Sequence, residues 1–526
     1  MSDQVATNPP IGAVHLEAPH GLVASSPDLK RTVSEGSVAM DGTDYREILP
    51  KPSNDPNDPL NWSWAQKHVV LLLVALMAFQ GPFDAASPAS GFLEQAPVYH
   101  TSVPSMLDSV GAHAVMAGAG GLLWVPLSYR YGRSPIYTAG AVVATLGALG
   151  CALANDLPAF CGARVVNGLG CSASMSIGAL TVKDLFFIHE RGQKIGIWTI
   201  SIGLSPYIAT LLDGFVTTHA GWRWMQWLTF IIWSVLLVLC VVALPETLYD
   251  RHHGLLDVPP KKTYVQRLKW KHFKGRQLTF RNFWHPCTMF FYPSVIFPGF
   301  YYGNLYGFCV FGALGMLPFA FAEIYGFDAI GQGLVAIPLA VGTILGEPLA
   351  GPFSDWMVRF LAQRNDGLRH PEQRLQAYWL GAILVPLGLT MFGLTLQYEV
   401  HWIAPCIAIA IYSFAIQIVS TVTFTYAVDC YEHVAGEVAL VLNFCRMEFA
   451  FYVSFYLPHY TKKVGYGWAF GIYAILSVML FLPMILLMFK GGQIRKRLGT
   501  PQSDFVHHAV PVQVEESVPG TGKEVE

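Results

Sequence analysis

The sequence predicts an all-α integral membrane protein with twelve transmembrane helices, arranged as two six-helix bundles related by pseudo-symmetry. Two observations lead to this fold class. Of the 526 residues, 53% are hydrophobic and only 13% are charged, whereas a soluble chain carries about 25% charged residues. Apolar runs as long as a bilayer core recur along the chain, and a short basic hinge follows the second run of each half. The two hinges indicate an internally duplicated membrane protein.

The first hinge, Trp124–Tyr137, separates the runs His113–Leu127 and Ile136–Ala154, neither of which contains an Asp, Glu, Lys or Arg. A second hinge, Gly351–Arg359, follows another Gly-rich apolar run. Val-Pro-Leu-Ser-Tyr, ending at Tyr129, aligns with Gly-Pro-Phe-Ser-Asp, ending at Asp355. A repeat at this distance is typical of transporters built from two related halves.

We expect a disordered cytoplasmic tail at 1–66, bundles at 67–245 and 287–490, a cytoplasmic central loop at 246–286, and a second cytoplasmic tail at 491–526. The runs that we number as spans one to twelve lie near 68–90, 110–128, 135–154, 159–182, 195–216, 224–244, 288–320, 330–352, 376–397, 402–427, 437–458 and 467–489. Span seven contains Pro293, Pro298, Gly299 and Gly303, which predict a kink or a preceding interfacial helix.

The distribution of positive charge predicts that both termini are cytoplasmic. Among the 33 Lys and Arg residues, three fall in external loops on this topology, namely Arg223, Lys462 and Lys463. Arg164 and Arg446 lie within spans, and the others are cytoplasmic, as the positive-inside rule requires. The basic central loop is expected to contain an amphipathic helix on the inner leaflet.

Composition also excludes several classes of function. Basic residues flank the spans instead of covering one soluble face, which argues against nucleic-acid binding. The nine cysteines are scattered without a CxxC motif, so we predict neither a disulfide framework nor a metal site. The sequence has no Walker loop, His cluster or Ser-His-Asp set, so an enzyme is the least expected class. No cofactor is predicted, and a proton gradient is the expected driving force.

The hinge residues resemble the loop between helices two and three of the major facilitator superfamily. Arg130, Gly132 and Arg133 match its pattern, whereas Tyr129 stands at the position of an Asp. In that family the loop latches the two halves together on the cytoplasmic side. The resemblance implies a latch motif that comprises Pro126, Ser128, Tyr129, Arg130, Gly132, Arg133, Gly351, Ser354, Asp355 and Arg359.

Other segments are similar to fungal twelve-helix drug:proton antiporters. Asp55–Ser63 is similar to the segment before their first helix, and Arg164–Gly170 resembles the R-x-x-x-G-x-G of the fourth helix. Gly203, Pro206 and Gly214 match parts of the span-five antiporter motif, although Ser205 replaces a Gly. The resemblance implies proton-coupled efflux of drugs, toxins or secondary metabolites.

Ionisable residues inside apolar spans are costly and are functional candidates for that reason. Asp84 follows Gly81-Pro82, and its alternative role is to cap a helix break. Arg164 has a family-implied role in proton coupling or a structural role, bonding to the carbonyls of a broken helix. Asp84 is its expected partner across the first bundle. Arg446 is expected to pair with Glu347 or to stabilise an anionic group of the substrate. For Glu347, helix capping or a latch role is the alternative. The candidate proton-coupling set is Asp84, Arg164, Glu347, Arg446 and Glu448.

Aromatic and amide side chains in spans four, seven and eleven predict a substrate chamber near the membrane midplane. Such walls suit amphipathic or cationic organic molecules through stacking and cation–π contacts. The candidate residues are Asn167, Tyr301, Tyr302, Asn304, Tyr306, Asn443, Phe444 and Tyr452.

The function predicted from these features is secondary active transport of a small organic molecule by alternating access, with proton-coupled efflux as the first hypothesis. Two alternatives stay open: proton-coupled uptake of an organic cation, polyamine or nutrient, and a membrane sensor without transport. The expected partners are the substrate, protons and the lipid bilayer. We expect a monomer in the plasma membrane, and a vacuolar membrane would fit the same hydropathy.

Overall fold

The computed structural model describes residues 55–249, 280–364, 370–431 and 434–499. In these ranges every regular element is a helix, and twelve helices are long and apolar enough to cross a membrane. The chain is therefore a multi-pass membrane protein, and the all-α fold class predicted from the sequence is confirmed. The predictions for 1–54, for 250–279 of the central loop and for 500–526 concern residues outside the described ranges.

The first six spans are joined by short turns. They cover Trp64–Ala86, Val103–Tyr131, Arg133–Leu153, Leu157–Leu185, Ile188–Ala220 and Trp222–Ala243. Polar side chains begin several of them: the Asp156 carboxylate accepts the Ala159 N–H at 2.7 Å at the start of span four, which satisfies a backbone donor that has no partner within the helix. Spans two and three are separated by Gly132 alone, with φ of +99°. This conformation favours glycine.

The last six spans contain more irregular turns. They cover Pro293–Tyr325, Ala329–Gln363, Pro371–Gln397, Ile403–Cys430, Ala435–Val464 and Tyr466–Leu498. Span seven is interrupted by a π-helical segment at Gly307–Phe311, and span nine begins with a 3₁₀ helix at Pro371–Ala377. A short helix, Phe280–Thr288, precedes span seven. The kink expected in span seven therefore takes the form of a widened helical turn.

Several helices extend further than hydropathy indicated. Span eight continues to Gln363, and span twelve continues to Leu498, beyond residue 490 where the second tail was expected to begin. Hydropathy marks only the residues inside the hydrocarbon core, whereas a helix continues through the headgroup region.

The expected disorder of the first tail is wrong for residues 55–63. Asp55 and Asp58 are buried, and Asp58 caps a 3₁₀ helix at Pro59–Asn61. The Tyr249 hydroxyl donates to the Asp55 carboxylate at 2.7 Å, and Lys67 Nζ donates to the Leu60 carbonyl at 2.9 Å. Specific hydrogen bonds thus attach the segment before span one to the start of span one and to the residues that follow span six.

The two halves repeat the same pattern of neighbours, as two pseudo-symmetric bundles require. Span one packs against spans four and five, and span seven packs against spans ten and eleven. Spans two and three both pack against span four, and spans eight and nine both pack against span ten. We call the end of the bundles that carries Gly132 and Gly351 the hinge end, and the opposite end the far end.

The halves meet where span two contacts span eleven and where span five contacts span eight. A Cβ atom on Gly118 would lie 2.8 Å from Met447 Cβ, and one on Gly214 would lie 3.1 Å from Gly333 Cα. Glycines permit this close approach of membrane helices. An apolar cavity of about 20 Å³ lies between the halves, lined by residues that include Pro82, Phe92 and Phe311. Because a void of this size holds about one water, it is too small for an organic substrate.

Candidate functional site

A buried carboxylate group lies inside the first bundle. Asp84 is 2% exposed. Its Oδ1 accepts from Gln80 Nε2 at 2.7 Å, and its Oδ2 accepts from Asn167 Nδ2 at 3.0 Å and from Trp233 Nε1 at 2.5 Å. These neutral donors come from spans one, four and six. The Asp84 carboxylate therefore joins three helices without forming an ion pair within the described residues.

The guanidinium group of Arg164 bonds to backbone carbonyls. It donates to the Asp84 carbonyl, to the Ala85 carbonyl at 2.7 Å and to the Ser109 carbonyl at 3.3 Å. Carbonyls in the last turn of span one have no donor within the helix, and a cation is favourable at a helix C-terminus. This geometry corresponds to the structural role that the sequence left open for Arg164. The expected bond between the side chains of Asp84 and Arg164 is absent from the ion pairs of the described residues.

In the second half the candidate ionisable residues do not pair with one another. Arg446 Nη2 donates to Asn443 Oδ1 at 2.7 Å, and the guanidinium carbon lies 5.0 Å from the centroid of the Tyr306 ring. The pair expected between Arg446 and Glu347 is absent from the ion pairs of the described residues. Glu448 projects from another face of span eleven, where its Oε1 lies 3.1 Å from the position of a Cβ on Gly118.

The predicted chamber residues of span seven face different surroundings. Tyr302 packs edge-on against Phe424 and lies 5.9 Å from the Tyr306 ring. Tyr301 is directed into the second bundle, where it packs against Tyr378 of span nine. Asn304 Nδ2 donates to the carbonyl of Phe300, one turn earlier. Tyr302 and Tyr306 lie beside Arg446.

The two aromatic candidates of span eleven lie apart from this group. Phe444 packs edge-on against Phe290. Tyr452 is 56% exposed and stacks on Tyr456. Helix position alone predicted that these rings would face a chamber, but hydropathy does not distinguish the faces of a helix that is apolar all round.

The first hinge is held by Arg133. Its Nη1 donates to Ser128 Oγ at 2.6 Å, and its Nε forms an ion pair with Asp184 Oδ2 at 3.3 Å. The guanidinium carbon lies 4.7 Å from the centroid of the Tyr129 ring. Arg133 thus connects spans two, three and four, and Tyr129 contributes a ring face where the family pattern has a carboxylate.

The second hinge has the same arrangement, built around Arg374. Its Nη1 donates to Ser354 Oγ at 3.2 Å and bonds to Asp355 Oδ1 at 2.8 Å. Its Nε bonds to Asp429 Oδ2 at 2.9 Å. Arg359, which the sequence suggested for this role, is exposed, and its Nε donates to the Asp355 carbonyl at 3.3 Å. The alignment of Tyr129 with Asp355 therefore describes equivalent positions in the two halves.

A family model decides the identity of the fold. The model of the Major Facilitator Superfamily matches residues 70–450 of the chain. The chain belongs to this superfamily. A member of it is a secondary transporter that moves small molecules across a membrane by alternating access and is not an enzyme.

Fungal transporters are among the relatives of this superfamily member. The MFS-type transporter atr4 of Stereocaulon alpinum is 29% identical, over 84% of this chain and 81% of the relative. The efflux pump radE of Floropilus chiversii is 26% identical, over 84% of this chain and 83% of the relative. The structure of the xylose transporter XylE from E. coli superposes with a TM-score of 0.59 at 17% identity, over 81% of this chain and 98% of XylE. The likeness to XylE shows that the two proteins share a fold.

The span-five motif of this transporter lies at the contact between the halves. A Cβ on Gly203 would lie 3.0 Å from Gln417 Nε2 and 3.5 Å from Thr343 Cγ2. Ser205 Oγ donates to the Phe79 carbonyl of span one, and Pro206 lines the small apolar cavity. The motif therefore sets how closely span five approaches spans one and eight.

Sequence reasoning missed several polar residues of the transporter. Gln80, Cys171 and Trp233 donate to Asp84, and a Trp in an apolar span carries no signal of such a role. Glu246, which follows span six, caps the start of span three: its Oε1 accepts the Arg133 N–H at 2.8 Å, and its Oε2 accepts the Ser134 N–H at 3.2 Å. Asp213 accepts the N–H groups of Ser90 and Gly91, at 2.6 and 3.0 Å. The Pro-Glu-Thr and Asp-Gly motifs that contain Glu246 and Asp213 were the available signals.

Proposed function

We propose that the transporter exports a small organic molecule in exchange for protons, with Asp84 as the carboxylate that binds and releases the proton. The observation that carries this proposal is a carboxylate inside a membrane span whose hydrogen-bond donors are neutral side chains of three different spans. Burial penalises the ionised form, whereas hydrogen bonds from N–H groups favour it. Burial therefore favours the protonated carboxylic acid, and the hydrogen bonds favour the ionised carboxylate. A change in the access of water to Asp84 shifts the balance between these two forms.

Protonation of Asp84 would change how three helices are connected. Asn167 and Trp233 both donate to Oδ2, and the Cys171 thiol donates to it more weakly at 3.7 Å. A proton on this oxygen takes up one acceptor position, so at least one of these donors must turn away or rebind. The bond between span one and span four or six is then weakened, while Arg164 keeps the end of span one in place. A local change of this kind couples a proton to the movement of helices within the first bundle.

The direction of transport and the location are part of the same proposal. The name of radE describes an efflux pump, which supports export. We propose that the hinge end is cytoplasmic, because it carries Arg130, Arg191 and Arg495, while Arg223 and Lys462 are at the far end. The proposed site of action is the plasma membrane, and the proposed functional unit is a monomer.

The test is transport in sealed proteoliposomes with an imposed pH gradient and a panel of organic acids, cations and neutral drugs. Gradient-driven accumulation opposite to proton flow is expected for the parent protein. The Asp84→Asn variant should lose this accumulation, because an amide cannot release a proton. It should still exchange labelled for unlabelled substrate without a gradient, since exchange needs no change of protonation.

Asp213→Asn is the matched control. Asp213 is as buried as Asp84, but its carboxylate binds backbone N–H groups that hold the turn after span one, so this variant should keep proton-driven transport. Gradient-driven accumulation by Asp84→Asn at the parental rate would overturn the assignment of Asp84. Movement of substrate in the same direction as protons would instead assign uptake.

A further inference from the structure

Arg446 is a buried cation whose hydrogen-bonding capacity is only partly used. The residue is 8% exposed, and its neighbour Asn443 is 6% exposed. Arg446 Nη2 donates to Asn443 Oδ1. Arg446 Nε and Asn443 Nδ2 are both buried without a hydrogen-bond partner. Two donors one helical turn apart therefore lack acceptors.

Arg164 in the first bundle shows how a structural arginine is satisfied in this protein. All three nitrogens of its guanidinium group bond to carbonyl oxygens. By contrast, no carboxylate of the described residues forms an ion pair with Arg446. An uncompensated buried charge and unsatisfied donors are both costly. Arg446 is therefore poorly explained as a structural residue, because a structural role would pair its charge.

Aromatic rings surround the guanidinium group on one side. Tyr306 lies beneath it, and the Tyr302 hydroxyl is within hydrogen-bonding reach of it. Beyond them, the ring centroid of Phe311 lies 5.7 Å from that of Tyr306, and the ring centroid of Phe424 lies 6.0 Å from that of Tyr302. These rings offer an apolar surface next to the unused donors.

We infer that Arg446 and Asn443 form an anion-binding subsite for an organic acid, a substrate with a carboxylate on an apolar or aromatic body. The planar guanidinium group binds a carboxylate through two N–H donors. The amide of Asn443 supplies a further donor, and Tyr302 and Tyr306 contact the apolar body. The inference rests on the proposed transport function only in treating the bound molecule as cargo.

Equilibrium binding to the purified protein tests the subsite without any proton gradient, so its outcome is independent of the role of Asp84. The probes are 2-naphthoate, its neutral amide and the amine 2-naphthylmethylamine, which share a ring system and differ in charge. The parent protein should bind the naphthoate at least about tenfold more tightly than the amide, as one charge-assisted contact implies. In Arg446→Gln the affinities for the naphthoate and the amide should become equal within about twofold.

Arg223→Gln serves as the matched control, because Arg223 is a partly exposed arginine at the far end, and its removal should leave the preference for the naphthoate unchanged. Thermal unfolding without ligand should confirm that Arg446→Gln is folded. Arg446→Lys keeps the charge but not the paired donors and should retain part of the preference.

A parent protein that prefers the amine or the amide, or that does not bind the naphthoate, would overturn the inference. Competition by chloride alone, to the same extent as by naphthoate, would assign the subsite to an inorganic ion and overturn the organic-acid assignment.

Discussion

Removal of the Arg164 side chain should destabilise the first bundle more than removal of any surface arginine. Its three hydrogen bonds go to backbone carbonyls of the last turn of span one and of span two. A hydrogen bond to a charged group contributes about 1.5 kcal/mol or more. Arg164→Met, which keeps much of the side-chain volume, should therefore lower the free energy of unfolding by roughly 4 to 5 kcal/mol. Arg164→Lys retains the charge and one bond, so its loss should be near 3 kcal/mol, about two bonds' worth.

The assay is unfolding of the purified protein in mild detergent, followed by tryptophan fluorescence during titration with a denaturing detergent. Arg223→Met is the control, since Arg223 also donates to a backbone carbonyl, that of Ala154 at 3.3 Å, but from a partly exposed position. Its effect should be about 1 kcal/mol or less. Equal stabilities of the Arg164 and Arg223 variants would refute the reasoning that carbonyls at the end of span one depend on Arg164.

Two further predictions concern the contact between the halves and the start of span three. Gly118→Leu should lower transport at least about tenfold without loss of folded protein, because the new side chain meets Met447; Gly162→Leu, with open space around it, should transport normally, and equal rates for the two variants would contradict this. Burial raises the pKa of the Glu246 carboxyl above its usual value, although hydrogen bonds from three backbone N–H groups act to lower it. The folded protein then binds this proton more tightly than the unfolded chain, so the stabilisation is complete below about pH 4.3 and is lost as the pH rises through the raised pKa. As the pH rises from about 4.3 through the raised pKa, thermal unfolding should show the parent losing stability relative to Glu246→Gln. Parallel plots of stability against pH for the two proteins would contradict the prediction.

The number and order of the helices could be predicted because they depend on hydropathy, which is a local property of the sequence. The lengths of the helices could not, since residues such as those between 352 and 363 are helical although hydropathy does not mark them as part of a span. The π-helical segment at Gly307–Phe311 has no hydropathy signal either. Prolines and glycines marked span seven as irregular without specifying which turn would widen.

The candidate site was predicted in part, for reasons that particular residues make clear. Asp84 and Arg164 were found because charged groups in apolar runs are rare, but their hydrogen-bond partners depend on tertiary packing. Trp233 is one of many apolar residues in span six until the fold brings it to Asp84. Arg374 was missed because span eight continues past the hinge, so that the arginine lies 20 residues after Ser354 instead of the five that separate Ser128 from Arg133.

The two hinges differ in a way that makes one of them sensitive to dissolved salt. The side chain of Arg133 is 3% exposed and lies over the ring of Tyr129, whereas the carboxylate partners of Arg374 are open to solvent, with the side chain of Asp355 57% exposed and that of Asp429 42% exposed. Mobile ions screen exposed charge pairs over about 8 Å at physiological ionic strength, and buried contacts much less. Rising ionic strength at the hinge end should therefore loosen the second half while the first stays closed. The replacement of a carboxylate by Tyr129 makes the response of the transporter to ionic strength asymmetric between its two halves.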